Sequence, residues 1–242
     1  MIHGKAVLAV VPARAGSKGI PNKNIQRVAG QSLIARAGDT LREIAFIDAR
    51  VISTDSPEYA EEGRQHGLDA PFLRPTRLSS DDAGAVETMQ HAVTACESHY
   101  GKRFDIVLII EPTSPLRTSA DIERTVESML AAGADSAVTV SRLPIKFHPL
   151  KLLAASDDGR LRHFHEGGSA ITGRQQLPSG LLWRNGVCYA VSRECLLQQG
   201  AIITDNTVAV LTDRDVVNID DPVELTLAEV LIGRVQERPP TG

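Results

Sequence analysis

Short apolar runs, separated by longer stretches whose apolar residues recur every three or four positions, set the rhythm of this chain. Six runs read as buried strands: Ala6–Val11, Val51–Ser53, Asp105–Ile110, Ala137–Val140, Val187–Val191 and Val208–Leu211. Four stretches between or after them read as helices. Ser32–Ile44 is the first, and Asp82–Glu97 follows the capping-type residues Ser79, Ser80 and Asp81. Ala120–Ala132 has Ser119 as its expected N-cap, and Pro222–Gly233 has Asp221. Strands alternating with helices predict an α/β fold, a mostly parallel sheet covered on both faces.

Residues 144–180 break the rhythm, with Pro, Gly and basic residues and only short strand-like pieces. Asp157–Gly159 reads as a hairpin turn between LKLLAA and LRHF. The expectation is a single domain over 1–236. Within it, 144–180 forms a small projecting β segment, used as a lid or a subunit contact, and 237–242 is a frayed tail.

Composition narrows the function. At 242 residues, with 42% hydrophobic and 23% charged positions, the chain has the makings of an ordinary globular core. No apolar run reaches the roughly 18 residues a membrane span needs. The N-terminal apolar run leads into PARAGSKG, which reads as strand and loop rather than an export signal. Cys96, Cys188 and Cys195 are odd in number and unpaired in spacing, which fits a reducing cytoplasm. A net charge of −4 argues against wholesale nucleic-acid binding. Yet residues 1–50 carry eight Lys/Arg against three acids. A positive region on an acidic protein suits a compact polyanion.

That region centres on the loop after the first strand, Pro12 to Asn24. Gly16 and Gly19 allow close backbone approach to phosphates, and Arg14, Lys18 and Lys23 add three cations within ten residues. The loop is not a P-loop, because Ile20 follows Gly19 where Lys is required, and no G-x-G-x-x-G is present. His163 and His165 have strand spacing but no third ligand nearby, Cys188 and Cys195 have no triad context, and Trp183 is compatible with an interface or a pocket wall.

The stretch PARAGSKGIPNKN resembles the signature loop of the CMP-N-acylneuraminate (CMP-sialic acid) synthetases. Further matches follow in family order: Val51–Asp55, Leu73–Pro75 with Leu78–Asp81, Glu111–Arg117, His148–Lys151, Arg174–Pro178, Asn185–Tyr189 and Val217–Asp220 with Pro222. The resemblance runs from about residue 5 to residue 230. It implies a Rossmann-like sheet and a homodimer that transfers CMP from CTP to an acidic 2-keto sugar of the nonulosonic type, releasing pyrophosphate. The 3-deoxy-octulosonate cytidylyltransferases and a non-catalytic CTP-binding module are the alternatives.

The resemblance also implies roles. Arg14, Ala15, Gly16, Ser17, Lys18, Lys23, Asn24, Arg74 and Ser80 would hold CTP, with Arg14, Lys18 and Asp220 catalytic. Glu111, Lys151, Arg174, Asn185 and Tyr189 would face the sugar. Mg²⁺ would be held by Asp220 and Asn218. Two positions depart from the family pattern: Glu111 stands where many relatives have Gln, and Asn218 where a second acid is usual. On the sequence alone Asn218→Asp is expected to be tolerated, because it restores that charge.

Overall fold

The computed structural model describes residues 1–236, with side chains to Arg234; the expected frayed tail, 237–242, lies outside the described residues. The strands are β1 (Val7–Pro12), β2 (Arg27–Val28), β3 (Gln31–Ser32), β4 (Ala49–Ser53), β5 (Ile106–Ile109), β6 (Ser136–Arg142), β7 (Leu153–Ala155), β8 (Leu161–His163), β9 (Leu182–Ser192) and β10 (Thr207–Leu211). The α-helices are α1 (Leu33–Arg42), α2 (Pro57–Gln65), α3 (Ala85–Tyr100), α4 (Ser119–Ala132) and α5 (Pro222–Gln236). All six strands expected from the apolar runs are present and form one mixed, mostly parallel sheet in the order β10-β6-β9-β5-β1-β4.

β1 lies between β4 and β5 and is parallel to both, pairing Val10 with Val51 and with Ile109. Its run VLAVV is wholly buried, as a central strand covered on both faces must be. β9 enters antiparallel to β5, pairing Tyr189 with Ile109. A core of Val7, Ala9, Val11, Ile34, Leu41, Ile52, Leu108, Ile122 and Val126 joins the sheet to α1 and α4.

Helix starts follow side-chain chemistry more closely than the sequence reading did. Asp221 Oδ1 accepts from the backbone N–H groups of Val223 and Glu224 at 2.8 and 2.9 Å, so it caps α5 as expected. α4 is capped by Thr118, not Ser119. Thr118 Oγ1 accepts from Asp121 N while Asp121 Oδ2 accepts from Thr118 N. That reciprocal box needs an acid three residues on, and from Ser119 that position is Ile122. α3 begins after Gly84 without a side-chain cap, which leaves Ser79–Asp81 for another use. α2 is an addition, capped by Ser56 and started by Pro57; its few buried residues, Tyr59, Ala60 and Gly63, left little periodic signal.

Among the described residues the chain divides into two units: Met1–Thr139 with 185–236, and Val140–Arg184. The second unit holds the β7–β8 antiparallel hairpin, which turns at Asp157–Gly159 as read from the sequence. Short 3₁₀ turns at Ile145–Phe147, Pro149–Lys151, Gly168–Ala170 and Arg174–Gln176 make up much of the rest.

One buried cation ties the loop after β5 to β9. The Arg117 guanidinium donates to the carbonyls of Glu111, Gly186 and Val187. Burial pushes its pKa down to about 10. Arg117→Ala should take this donor from the buried carbonyls of Gly186 and Val187, leave Glu111 O with Ser114 N alone, and cost about 3 kcal/mol, read as a fall in denaturation midpoint. A loss under about 1 kcal/mol would mean that water replaces the guanidinium.

Candidate active site

In a parallel sheet the chain leaves adjacent strands on opposite sides at the switch point, opening a crevice at their carboxyl ends. β1 is that point here, because β4 and then β5 are laid down on its two sides. The loops after β1 and β5 flank a cleft of about 330 Å³. Its lining comes from three stretches: Pro12, Arg14, Ser17, Lys23 and Asn24; Arg74, Leu78, Ser80 and Asp81 running into α3; and Glu111, Pro112 and Thr113.

The loop after β1 is held from both sides. Asn24 is buried and its Nδ2 donates to Arg14 O at 3.1 Å, while Ala15 N donates to Asp55 Oδ1 at 3.0 Å. Lys23 Nζ donates to Ile219 O at 2.7 Å and pairs with Asp220 Oδ1 at 2.9 Å. Gly19 packs so closely on this second segment that a Cβ would lie 2.5 Å from Asp220 O. Glycine is therefore required there by close approach.

Two cations converge on one carboxylate. Asp81 Oδ1 lies 2.7 Å from Arg14 Nη2, and Asp81 Oδ2 lies 2.5 Å from Lys18 Nζ. Lys18, then Arg14, hold the Asp81 carboxyl below its usual range. Asp81, expected as part of a helix-capping group, is in fact the internal counter-ion of the two principal loop cations. Arg74 is buried, with Nε on Ser53 Oγ at 3.1 Å and Nη2 on Ser53 O. Desolvation pushes its pKa down to about 10. Its contact with the cleft comes with a structural tie to the end of β4.

Of the residues expected to hold a nucleotide, Arg14, Ser17, Lys23, Asn24, Arg74 and Ser80 line the cleft. Ala15, Gly16 and Lys18 share its loop, and Lys18 reaches the cleft-lining Asp81. Asp220 is exposed beside Lys23. Of those expected to face a sugar, Glu111 lines the same cleft. Asn185 and Tyr189 are buried in β9; Asn185 Oδ1 accepts from Val187 N at 3.2 Å. Lys151 and Arg174 meet elsewhere, in the Val140–Arg184 unit, where with His163 they line a pocket of about 310 Å³. Asn218 turns its Nδ2 to Glu111 Oε2 at 3.3 Å, and its Oδ1 is buried without a partner among the described residues. The sequence reading missed the Asp81 clamp, since nothing local ties residue 81 to residues 14 and 18.

A cleft at the switch point of a doubly wound sheet, lined by cations from the first loop, marks an α/β protein that binds an anionic ligand. The chain belongs to the cytidylyltransferase family, whose profile matches residues 8–162. It is 30% identical to the CMP-N,N'-diacetyllegionaminic acid synthase of Legionella pneumophila, over 96% of this chain and 98% of that protein. It is 29% identical to the post-translational flagellin modification protein B of Campylobacter coli, over 93% and 94% of the two chains. An N-acylneuraminate cytidylyltransferase of Streptococcus agalactiae matches at 28% identity, over 84% of this chain and 47% of that one. Among solved structures, a CMP:2-keto-3-deoxy-manno-octonic acid synthetase complexed with CTP superposes with a TM-score of 0.68 at 15% identity, covering 95% of this chain and 99% of that one. At that identity the likeness speaks for the fold alone. The chain is thus a nucleotidyltransferase enzyme of the CMP-sialic-acid-type synthetase group, as its motifs implied.

The Asp81 clamp carries a prediction. An incoming polyanion must compete with Asp81 for Arg14 and Lys18. Asp81→Asn should therefore tighten pyrophosphate binding, by up to about fivefold because the pairs are solvent-exposed. Calorimetric titration checks this; weaker binding in the variant would mean that Asp81 orders the cations rather than occupying them.

Proposed function

We propose that the chain joins CMP from CTP to a nine-carbon acidic 2-keto sugar of the N-acylated nonulosonic type. The sugar's anomeric hydroxyl attacks the α-phosphorus, the bond to the β-phosphate oxygen breaks, and pyrophosphate leaves. The observation that carries this reading is the cleft itself: Arg14, Lys23 and Asn24 on one side and Glu111 on the other, in a chain whose full-length relatives include a CMP-N,N'-diacetyllegionaminic acid synthase. Such transfer is largely positioning and charge stabilisation. Arg14 and Lys18 would take the phosphate charge once released from Asp81, and Lys23 and Asn24 fix the loop. Ser80 and Arg74 stand on the nucleoside side. Glu111 accepts from hydroxyl or amide N–H groups of the sugar. Lys151 and Arg174 form a dibasic pocket suited to a carboxylate.

Mg²⁺ belongs to the proposal. Among the described residues no group of three metal-binding side chains gathers, so most ligands would come from phosphate and water. Asp220 fits, as a hard oxygen donor, 76% exposed and beside the phosphate loop. Asn218 fits less well as placed, with its oxygen buried and its nitrogen on Glu111. The ion would neutralise phosphate charge during transfer.

We also infer a homodimer in the cytoplasm. Phe147, Leu153, Leu161 and Phe164 are each more than half exposed within the 45-residue Val140–Arg184 unit, an apolar surface of the kind a second copy covers. Three buried free thiols suit a reducing compartment, and among the described residues no helix is long and apolar enough to cross a membrane.

Incubation with CTP, Mg²⁺ and a panel of 2-keto acid sugars tests the reading by release of pyrophosphate and formation of CMP-sugar. Activity confined to an eight-carbon acid, or CTP binding without pyrophosphate, would overturn it. Arg14→Ala and Lys18→Ala should each lower kcat by about 10²–10³. Near-normal kcat in both at saturating CTP would put the phosphates elsewhere. Asp220→Asn should remove most Mg²⁺-dependent activity; if it is silent while Asp221→Asn is inactive, the neighbouring carboxylate is the ligand.

A further inference from the structure

Three side chains from two segments, the loop after β5 and the stretch before α5, meet over the α-carbon of Gly186. A Cβ built there would lie 2.4 Å from Glu111 Oε2, 2.9 Å from Ser114 Oγ and 2.9 Å from Asn218 Nδ2. Gly186 also has φ 71°, so any side chain would be both strained and obstructed. Each partner in the cluster is fixed independently. Ser114 Oγ donates to Asn185 O at 3.0 Å. The backbone of Glu111 is held through its carbonyl by Arg117. The Asn218 segment is anchored where Ile219 N donates to Thr113 O at 2.8 Å.

Within this frame the polarity of one contact is defined by chemistry. Asn218 Nδ2 lies 3.3 Å from Glu111 Oε2, and an ionised carboxylate can only accept. Turning the amide over would set its oxygen against the carboxylate. The nitrogen therefore faces Glu111, and the oxygen is buried with no hydrogen-bond partner among the described residues. An unpartnered buried amide oxygen costs stability, so the orientation is set by the carboxylate and not by the amide's other end.

We propose that Asn218 is a positioning residue that holds the Glu111 carboxylate for the acceptor sugar, the two acting as one donor–acceptor pair with its charge at position 111. This rests on the reading of the cleft as a CTP and sugar site with Glu111 on the sugar side. It reverses the expectation from sequence that Asn218→Asp is harmless, because the substitution would place a second carboxylate against the first.

The test is a four-protein cycle: wild type, Asn218→Asp, Glu111→Gln, and the double variant. Each is assayed for pyrophosphate release at saturating CTP against an N-acylated nonulosonic acid, and each is melted. Asn218→Asp should raise the sugar KM about tenfold, the scale of one lost hydrogen bond to a charged group, and leave the CTP KM within about twofold. In the double variant the bond reverses, with the amide introduced at position 111 donating to the carboxylate introduced at position 218. The sugar KM should then recover by about fivefold or more relative to Asn218→Asp alone. Multiplicative losses without recovery would overturn the pairing. So would a sugar KM unchanged in Asn218→Asp while the Mg²⁺ concentration for half-maximal rate shifts, which would give Asn218 to the metal. If the wild type releases no pyrophosphate with any acceptor, the functional reading fails and the positioning role falls with it. The melting cycle then stands alone as the measure of the contact, whose mark is a Tm lost in Asn218→Asp and regained in the double variant.

Discussion

A guanidinium in the interior is tolerated only when its donors are used, and the three carbonyls of Glu111, Gly186 and Val187 use those of Arg117. The site depends on this one arrangement. Those carbonyls belong to the loop after β5 and to the antiparallel β9, and Arg117 reaches 70 residues along the chain to Val187 to join them. Once they are tied, Glu111 points into the cleft, Gly186 lies beneath its carboxylate, and the segment around Asn218 has a fixed surface to dock on. A lysine could not do the same, because a single ammonium cannot span three acceptors in the fixed fork that a guanidinium offers.

The opposite side of the cleft is organised by charge in contact with water. Arg14 and Lys18 converge on Asp81, and Lys23 on Asp220. The exposed pairs on Asp81 contribute little to stability. Their consequence is availability: Arg14 and Lys18 are held by one partly exposed carboxylate rather than locked in the interior. The buried cations, Arg74 and Arg117, are tied to backbone carbonyls, whereas Arg14 and Lys18 stay accessible at the cleft, 33% and 80% exposed. Burial separates two settings that residue type alone leaves mixed.

The two units carry complementary chemistry. The cleft beside β1 holds the phosphate-type cations and one carboxylate, whereas the pocket of the Val140–Arg184 unit holds Lys151, Arg174 and His163. Each pocket is cationic by itself, the first through the loop after β1 and the second through Lys151 and Arg174. The same unit exposes the large apolar side chains Phe147, Leu153, Leu161 and Phe164.

Much of this was legible in the sequence. The inner strands were readable because burial on both faces removes alternation but leaves an unbroken hydrophobic signal, whereas the edge strand β10, buried only at Val210, was readable from its apolar composition. Asp221 as the cap of α5 and the turn at Asp157–Gly159 were readable because their chemistry acts within a few residues. The first loop was readable for the same reason, with three cations and two glycines in one short stretch. The contacts that tertiary structure alone decided all join distant residues, save one at a helix start. Asp81 leaves its expected capping role because Arg14 and Lys18 lie within reach. Thr118 takes the cap of α4 from Ser119 because the acid that completes its box falls at Asp121. Asn218, in sequence close to an exposed acid, turns inward to Glu111, 107 positions away. Sequence lists donors and acceptors, but a hydrogen bond needs its two atoms within about 3 Å, and only the folded chain determines which of them meet.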